Sequence, residues 1–283
     1  MADVTQPSGL RNMLRAAAGA LPFVPRGGKL PDRTVTVDEL PIDRANVAEY
    51  AEVTGLRYAD AVPLTYPFAL TFPTIMSLVT GFDFPFAAMG SVHLENEITQ
   101  YRPIRVSDTV NIAVHAENLR EHRKGLLADI VTDVSVGNEV AWHQVTTFLH
   151  QQRTSLSDEP KPPPQKQPKL PPPNAILRIT PAQIRRYAAI GGDHNPIHTN
   201  PVGAKLFGFP TVIAHGMFSA AAVLANLEAG LPDAVTYTVR FGKPVLLPAS
   251  AGLYVDQVED GWDLSLRNIA KGYPHLTGTL RAG

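Results

Sequence analysis

Residues 187–205 read YAAIGGDHNPIHTNPVGAK, and this stretch decides the fold expected for the chain. Its glycines, prolines and asparagines favour turns between two segments that read as short helices. The ionisable side chains in the middle of the loop are Asp193, His194 and His198. Asp193 and His198 lie five positions apart across an Asn-Pro pair, so a tight turn can bring both to one water molecule. Taken alone, Asp193 would more simply bond its own backbone in the turn, and His198 would be a buried histidine.

The sequence on both sides of this loop predicts helices followed by strands. Thr180 is a suitable N-cap for a helix over 181–190, and a shorter helix is expected over 200–208. A third helix over about 215–229 is apolar nearly all round, which is typical of a buried helix. From residue 234 the apolar period changes to two, so a run of antiparallel strands separated by turns should follow.

A proline-rich segment divides the chain. Residues 157–175 hold eight prolines and three lysines, a composition that favours an extended, semi-rigid linker and cannot build a core. We therefore predict an N-terminal repeat over 1–150, a linker over 151–175 and a second repeat over 176–283.

The two parts resemble each other weakly, in the same order along the chain. VAEYAEVTGLRYAD around Tyr50 echoes IRRYAAIGGDHNPI around Tyr187, at an offset of 137 residues. RPIRVSDTVNIAV from Arg102 echoes KPVLLPASAGLYV from Lys243. This pattern predicts a duplicated domain, that is, a pseudo-dimer within one chain. Each repeat would have one buried helix followed by an antiparallel meander, which a sheet wrapped around the helix accommodates.

The motif itself resembles that of a known family. YAAIGGDHNPIH, followed by Ala204, is similar to the hydratase-2 motif of the MaoC-like dehydratases, and AHGMFS over 214–219 is similar to the His-Gly that begins the family's central helix. One departure is Gly191, where the family usually has Ser or Thr. The resemblance implies an α+β double-hotdog fold, in which each of two repeats wraps an antiparallel sheet around a central helix.

The same resemblance implies a (3R)-3-hydroxyacyl-thioester dehydratase, which also hydrates trans-2-enoyl thioesters. Carried over from the family, Asp193 and His198 are the pair that holds the water and transfers protons. Gly216 would present a backbone N–H at the start of the central helix to the thioester oxygen. These three residues are the predicted catalytic group.

Three further residues are predicted to bind substrate or to line the site. They are Asn195, His215 and Tyr187. Asn195 is expected to brace the loop or position the water, and His215 to pack beside the pair. No metal and no cofactor is expected, because side chains and a backbone amide supply the chemistry. The substrate would be an acyl thioester of coenzyme A or of acyl carrier protein.

The first repeat lacks the predicted catalytic residues. At the offset of 137, Leu56 and Ala61 stand where the second repeat has Asp193 and His198, and at an offset of 142 Thr74 matches Gly216. We therefore expect one working site per chain. The aromatic and apolar residues over 66–86 are either a wall for the acyl chain or ordinary core.

Composition narrows the remaining possibilities. The net charge of −1 gives no electrostatic basis for binding nucleic acid or an anionic membrane, and the absence of cysteine excludes disulfides and thiolate sites. Residues 10–28 could mimic a targeting signal but favour a short docked helix, and no stretch is long enough to span a membrane. We expect a cytoplasmic enzyme, with a homodimer left open. An acyl-thioester hydrolase and a non-catalytic acyl-binding protein are the alternatives.

Overall fold

The computed structural model describes residues 27–160, 170–227 and 230–283, together with Asn12. These residues form one ten-stranded antiparallel sheet and six helices. The strands are β1 (Val35–Pro41), β2 (Ser91–Gln100), β3 (Thr109–His122), β4 (Gly125–Val136), β5 (Glu139–Gln151), β6 (Ala175–Ile179), β7 (Val235–Phe241), β8 (Ala249–Val258), β9 (Gly261–Asn268) and β10 (Pro274–Ala282). The helices are α1 (Arg44–Thr54), α2 (Tyr66–Val79), α3 (Pro181–Gly191), α4 (Pro196–Thr199), α5 (Pro201–Leu206) and α6 (Gly216–Leu224).

The order of the strands contains the same arrangement twice. The sheet runs β1-β3-β4-β5-β2-β7-β10-β9-β8-β6, so the second half repeats the order of the first in the opposite direction. The halves meet where β2 pairs antiparallel with β7, from Glu95 opposite Arg240 to Gln100 opposite Val235. The predicted α+β double hotdog is confirmed, and β2 and β7 join its repeats into one continuous sheet.

A buried helix lies within each half of the sheet, as the apolar sequence of 215–229 predicts for the second. All residues of α6 after Gly216 are buried, and the hydroxyl of Tyr237 on β7 donates to the carbonyl of Ala220 at 3.0 Å. In the first half, the indole N–H of Trp142 donates to the carbonyl of Leu64, just before α2. The helix α6 ends at Leu224, and residues 228–229 lie outside the described chain.

The two residues aligned by the internal repeat meet in space. The rings of Tyr50 on α1 and Tyr187 on α3 have centroids 5.8 Å apart. On the surface beside them, the guanidinium of Arg186 pairs with the carboxylate of Glu52 at 3.0 Å. The residues that the sequence comparison relates therefore face each other across the pseudo-dimer.

The predicted domain boundaries fall close to element ends. The strand β5 ends at Gln151 and β6 begins at Ala175, on either side of the predicted linker. The stretch 161–169 of that linker lies outside the described residues. So does the predicted N-terminal docked helix, apart from Asn12. The bounds of the two repeats remain predictions.

None of the helices in the described ranges has the length and apolar character that crossing a membrane requires.

Candidate active site

The loop between α3 and α4 is shaped by its turn residues. The predicted N-cap of α3 is confirmed, since Thr180 accepts from the N–H of Gln183 in a capping box. The helix ends at Gly192, whose φ of 74° suits glycine. The side-chain oxygen of Asn195 then accepts the N–H of Ile197 at 3.2 Å and caps the short helix α4. Asn195 thus braces the loop, as expected.

The two carboxylate oxygens of Asp193 have different contacts. Its Oδ1 accepts the backbone N–H of Asn195 at 3.3 Å, which is the turn-forming bond. Its Oδ2 lies 3.5 Å from Nε2 of His215, and 26% of the side chain is exposed. One oxygen therefore holds the turn while the other faces the imidazoles.

One of the two ring nitrogens of His198 is hydrogen-bonded to the backbone. Its Nδ1 donates to the carbonyl of Ile213 at 2.9 Å, because a carbonyl can only accept. In the neutral ring, Nε2 therefore carries the lone pair and can act as a base. Burial lowers the pKa of His198, although the Asp193 carboxylate and the Ile213 carbonyl oppose this shift.

His215 packs directly on His198. The two rings stack with centroids 3.7 Å apart and an interplanar angle of 28°. Nε2 of His215 donates to the backbone carbonyl of Asp193 at 3.1 Å. Burial, with a smaller contribution from His198, lowers the pKa of His215 to about 3, and the Asp193 carboxylate only partly opposes this. His215 is therefore a neutral ring that contacts both Asp193 and His198 and fixes their relative positions.

Gly216 follows His215 and begins α6. The first N–H groups of a helix have no acceptor within the helix, and the helix dipole favours negative charge near them. A Cβ atom at Gly216 would lie 3.0 Å from Cε1 of Phe241. Glycine therefore allows the ring of Phe241 to pack closely against the start of this helix.

Comparisons with known proteins identify the family of the chain. Residues 161–277 match the family model of the MaoC like domain. The chain is also 79% identical to 3-hydroxyacyl-thioester dehydratase X of Mycobacterium tuberculosis, over 98% of this chain and 99% of that protein. This chain belongs to the MaoC-like dehydratase family.

Solved structures of MaoC-like proteins resemble it along most of its length. A crystal structure of HtdX from Mycobacterium tuberculosis has a TM-score of 0.81 at 78% identity, covering 88% of this chain and 100% of that one. A MaoC-like dehydratase from Phytophthora capsici has a TM-score of 0.72 at 18% identity, covering 92% and 97%. At that low identity the second likeness shows the shared fold alone.

Tyr187, the first residue of the MaoC-like motif, lies behind the loop. Only 3% of it is exposed, and its ring packs against those of His215 at 5.2 Å and Phe218 at 5.5 Å. Burial raises the pKa of the phenol well above its ordinary value, so the ring stays protonated. These contacts place Tyr187 in support of His215, one layer away from the predicted catalytic pair.

The first MaoC-like repeat has a different helix start. Thr74 lies inside α2, so the alignment at an offset of 142 does not match it to a helix N-terminus as expected. The helix begins instead with Tyr66, whose hydroxyl donates to Asn46 at 3.0 Å, and Pro67, which has no N–H. Neither residue offers the open amide that Gly216 provides.

One histidine from the first repeat escaped the sequence prediction. His93 on β2 lies beside Phe241, with ring centroids 4.7 Å apart, and Phe241 in turn covers Gly216. No motif of the MaoC-like family signals His93 in this chain. Its position depends on the pairing of β2 with β7, which alternation within one strand does not reveal.

Three side chains of the site could in principle bind a cation. Ligand atoms of Asp193, His198 and His215 lie within 4.8 Å of one another. The lone pairs of imidazoles lie in the ring planes, however, and these two rings stack face to face. Their nitrogens therefore do not converge on one point, and Nδ1 of His198 is already engaged. The arrangement suits proton transfer better than metal binding.

Proposed function

We propose that this chain is a hydro-lyase that interconverts (3R)-3-hydroxyacyl thioesters and trans-2-enoyl thioesters. The observation that carries the proposal is the convergence of the Asp193 carboxylate and the His198 imidazole beside the N-terminus of α6. The high identity to a named 3-hydroxyacyl-thioester dehydratase supports the same reaction. We further propose that the second repeat forms one working site per chain.

In the dehydration direction, the neutral His198 takes a proton from C2 through Nε2. The backbone bond at Nδ1 fixes the ring for this task. The C3–O bond then breaks, and the pair formed by Asp193 and His198 returns one proton to the departing oxygen. The products are a C2=C3 double bond and one water molecule, and the enzyme regains its starting protonation. Each such acid or base contributes about 10²–10⁴-fold to the rate.

Removing the C2 proton places negative charge on the thioester oxygen. The first N–H groups of α6, beginning at Gly216, are the donors that we assign to this oxygen. A preorganised donor of this kind is worth about 3 kcal/mol. Glycine is needed at 216 because a Cβ atom there would meet the ring of Phe241 at 3.0 Å.

His215, Asn195 and Tyr187 position these groups. His215 holds Asp193 and stacks on His198, Tyr187 packs behind His215, and Asn195 caps the helix that carries His198. We propose coenzyme A or acyl carrier protein as the carrier, a cytoplasmic location, and a reaction that needs no metal and no cofactor. Because one chain contains both repeats, it would form the complete pseudo-dimer without a second chain.

The test is a hydration assay with crotonyl-coenzyme A and longer enoyl thioesters. Wild-type protein should remove the enoyl absorbance without releasing free thiol. Asp193→Asn and His198→Ala should each lower kcat by about 10²–10⁴-fold. Release of thiol would identify a hydrolase instead, and binding without turnover an acyl-binding protein. Near-normal turnover by both variants would overturn the assignment of the site.

A further inference from the structure

The first repeat places a buried nitrogen without a partner next to the proposed site. Nε2 of His93 is shielded from solvent and has no hydrogen-bond partner among the described residues. The ring packs among three phenylalanines, with centroids 5.8 Å from Phe68, 5.3 Å from Phe148 and 4.7 Å from Phe241. An unpaired buried polar atom destabilises the fold, and a ligand that donates a hydrogen bond to it would remove that cost.

His93 and the start of α6 both contact the ring of Phe241. The ring of Phe241 lies against Gly216 on one side and against His93 on the other. Each of these three residues is only partly buried, whereas most residues of the surrounding core are fully buried. Phe241 therefore connects His93, which belongs to the first repeat, with the start of α6 across the β2–β7 junction.

The chemistry of the ring is that of a neutral acceptor. Burial lowers the pKa of His93 to about 3, although a hydrogen bond with the Glu95 backbone and the charge of Asp193 oppose this shift. Since Nε2 has no hydrogen-bond partner among the described residues, it is free to carry the lone pair of the neutral ring and to accept a hydrogen bond from a ligand.

We propose that His93 binds substrate at the proposed site, with Nε2 accepting a hydrogen bond from the 3-hydroxyl group of the 3-hydroxyacyl thioester. This inference rests on the proposed function. The 3-hydroxyl is the one hydrogen-bond donor at the reacting end of that acyl group. As its oxygen receives a proton from the catalytic pair, its own hydrogen needs an acceptor. His93 supplies that acceptor, and in the hydration direction it holds the second hydrogen of the attacking water.

The test measures binding in a His198→Ala background, which blocks turnover. Calorimetry gives the Kd of (3R)-3-hydroxybutyryl-coenzyme A and that of butyryl-coenzyme A, which lacks the hydroxyl. Adding His93→Phe keeps an aromatic ring but removes the acceptor. We expect this substitution to raise the Kd of the hydroxylated ligand about tenfold and to leave the Kd of butyryl-coenzyme A unchanged. His93→Gln, which returns an acceptor near the position of Nε2, should recover part of the loss.

His150→Phe is the matched control. His150 lies in the same repeat and stacks on Phe86 at 5.2 Å, and its replacement should leave both affinities unchanged. If His93→Phe does not fold, His93→Met takes its place. Equal weakening of both ligands by the His93 variants would show a purely structural role and overturn the inference. Failure of the wild type to hydrate crotonyl-coenzyme A would instead defeat the proposed function.

Discussion

The imidazole rings of His198 and His215 stack with their centroids 3.7 Å apart. His215 is buried and His198 is half-buried, and a positive charge on one disfavours a positive charge on the other. The stack therefore keeps both rings neutral at ordinary pH, and His198 remains available as a base.

The first prediction concerns the pH dependence of the reaction. Burial lowers the pKa of His198 below its ordinary value of 6.5, and the neutral ring is the active form. The kcat/KM for dehydration should therefore stay level as the pH falls from 8 to about 6.5 and decline only below that point. A pH–rate profile in constant ionic strength checks this. Half-maximal kcat/KM above pH 7 would contradict the assignment of His198 as the base.

A second prediction concerns stability in acid. The pKa of His215 is about 3 in the folded protein and about 6.5 in the unfolded chain, so the unfolded chain binds the extra proton between these values. The free energy of unfolding should therefore decrease as the pH falls from 6.5 toward 3. His215→Phe removes this titration and should flatten the decrease by about 1.4 kcal/mol per pH unit.

Urea unfolding of both proteins at pH 7 and at pH 5 measures the difference. His93→Phe should flatten the slope in the same way, because burial also lowers the pKa of His93 to about 3. Parallel pH slopes for the wild type and both variants would mean that neither histidine is held neutral by the fold.

A third prediction isolates the role of Gly216. A methyl group there would lie about 3.0 Å from the ring of Phe241 and beside the first N–H groups of α6, which we assign to the thioester oxygen. Gly216→Ala should lower kcat/KM by about 10²-fold, as expected for loss of one oxyanion donor. The double variant Gly216→Ala with Phe241→Leu should relieve the crowding. It should recover thermal stability but not the rate, and full recovery of the rate would limit Gly216 to a packing role.

A fourth prediction separates two roles for Asn195. Its side chain accepts the N–H of Ile197, so Asn195→Ala should cost about 1 kcal/mol of stability and loosen the loop. Asn195→Ser keeps a capping oxygen and should retain most of the stability. If bracing is the whole role, the serine variant should also retain kcat within a few-fold. A stable serine variant that loses activity would show instead that the Asn195 amide contacts the substrate or the water.

A fifth prediction concerns metal ions. The stacked rings of His198 and His215 do not point their nitrogens at a common centre. Dialysis against a chelator should therefore leave kcat unchanged, and added Mg²⁺ or Zn²⁺ should not raise it. Loss of activity on chelation, with recovery on adding one metal, would replace the proton-transfer scheme with a metal-assisted one.

Local chemistry made much of this molecule predictable from its sequence. The Gly, Asn and Pro of the motif each fix a turn or a helix end, so the loop that presents Asp193 and His198 follows from residues near in sequence. The start of α6 at Gly216 follows in the same way. The repeated pattern around Tyr50 and Tyr187 predicted the pseudo-dimer, because duplication leaves related residues facing each other.

The features that the sequence did not predict depend on contacts between segments that are far apart in sequence. His93 reaches Phe241 only because β2 and β7 pair, and strand partners are not encoded in local alternation. The burial of Tyr187 behind His215 depends on the packing of α3 against the start of α6. Thr74 was matched to Gly216 by similarity of apolar segments, but α2 begins earlier than that alignment implies.

The pairing of β2 with β7 makes the two repeats inseparable in practice. Six residue pairs, from Glu95 and Arg240 to Gln100 and Val235, saturate the inner backbone of both strands. Removing either repeat would leave β2 or β7 as an unpaired edge strand, and an exposed edge strand promotes aggregation. The first repeat therefore protects the edge of β7, because its removal would cost the second repeat solubility.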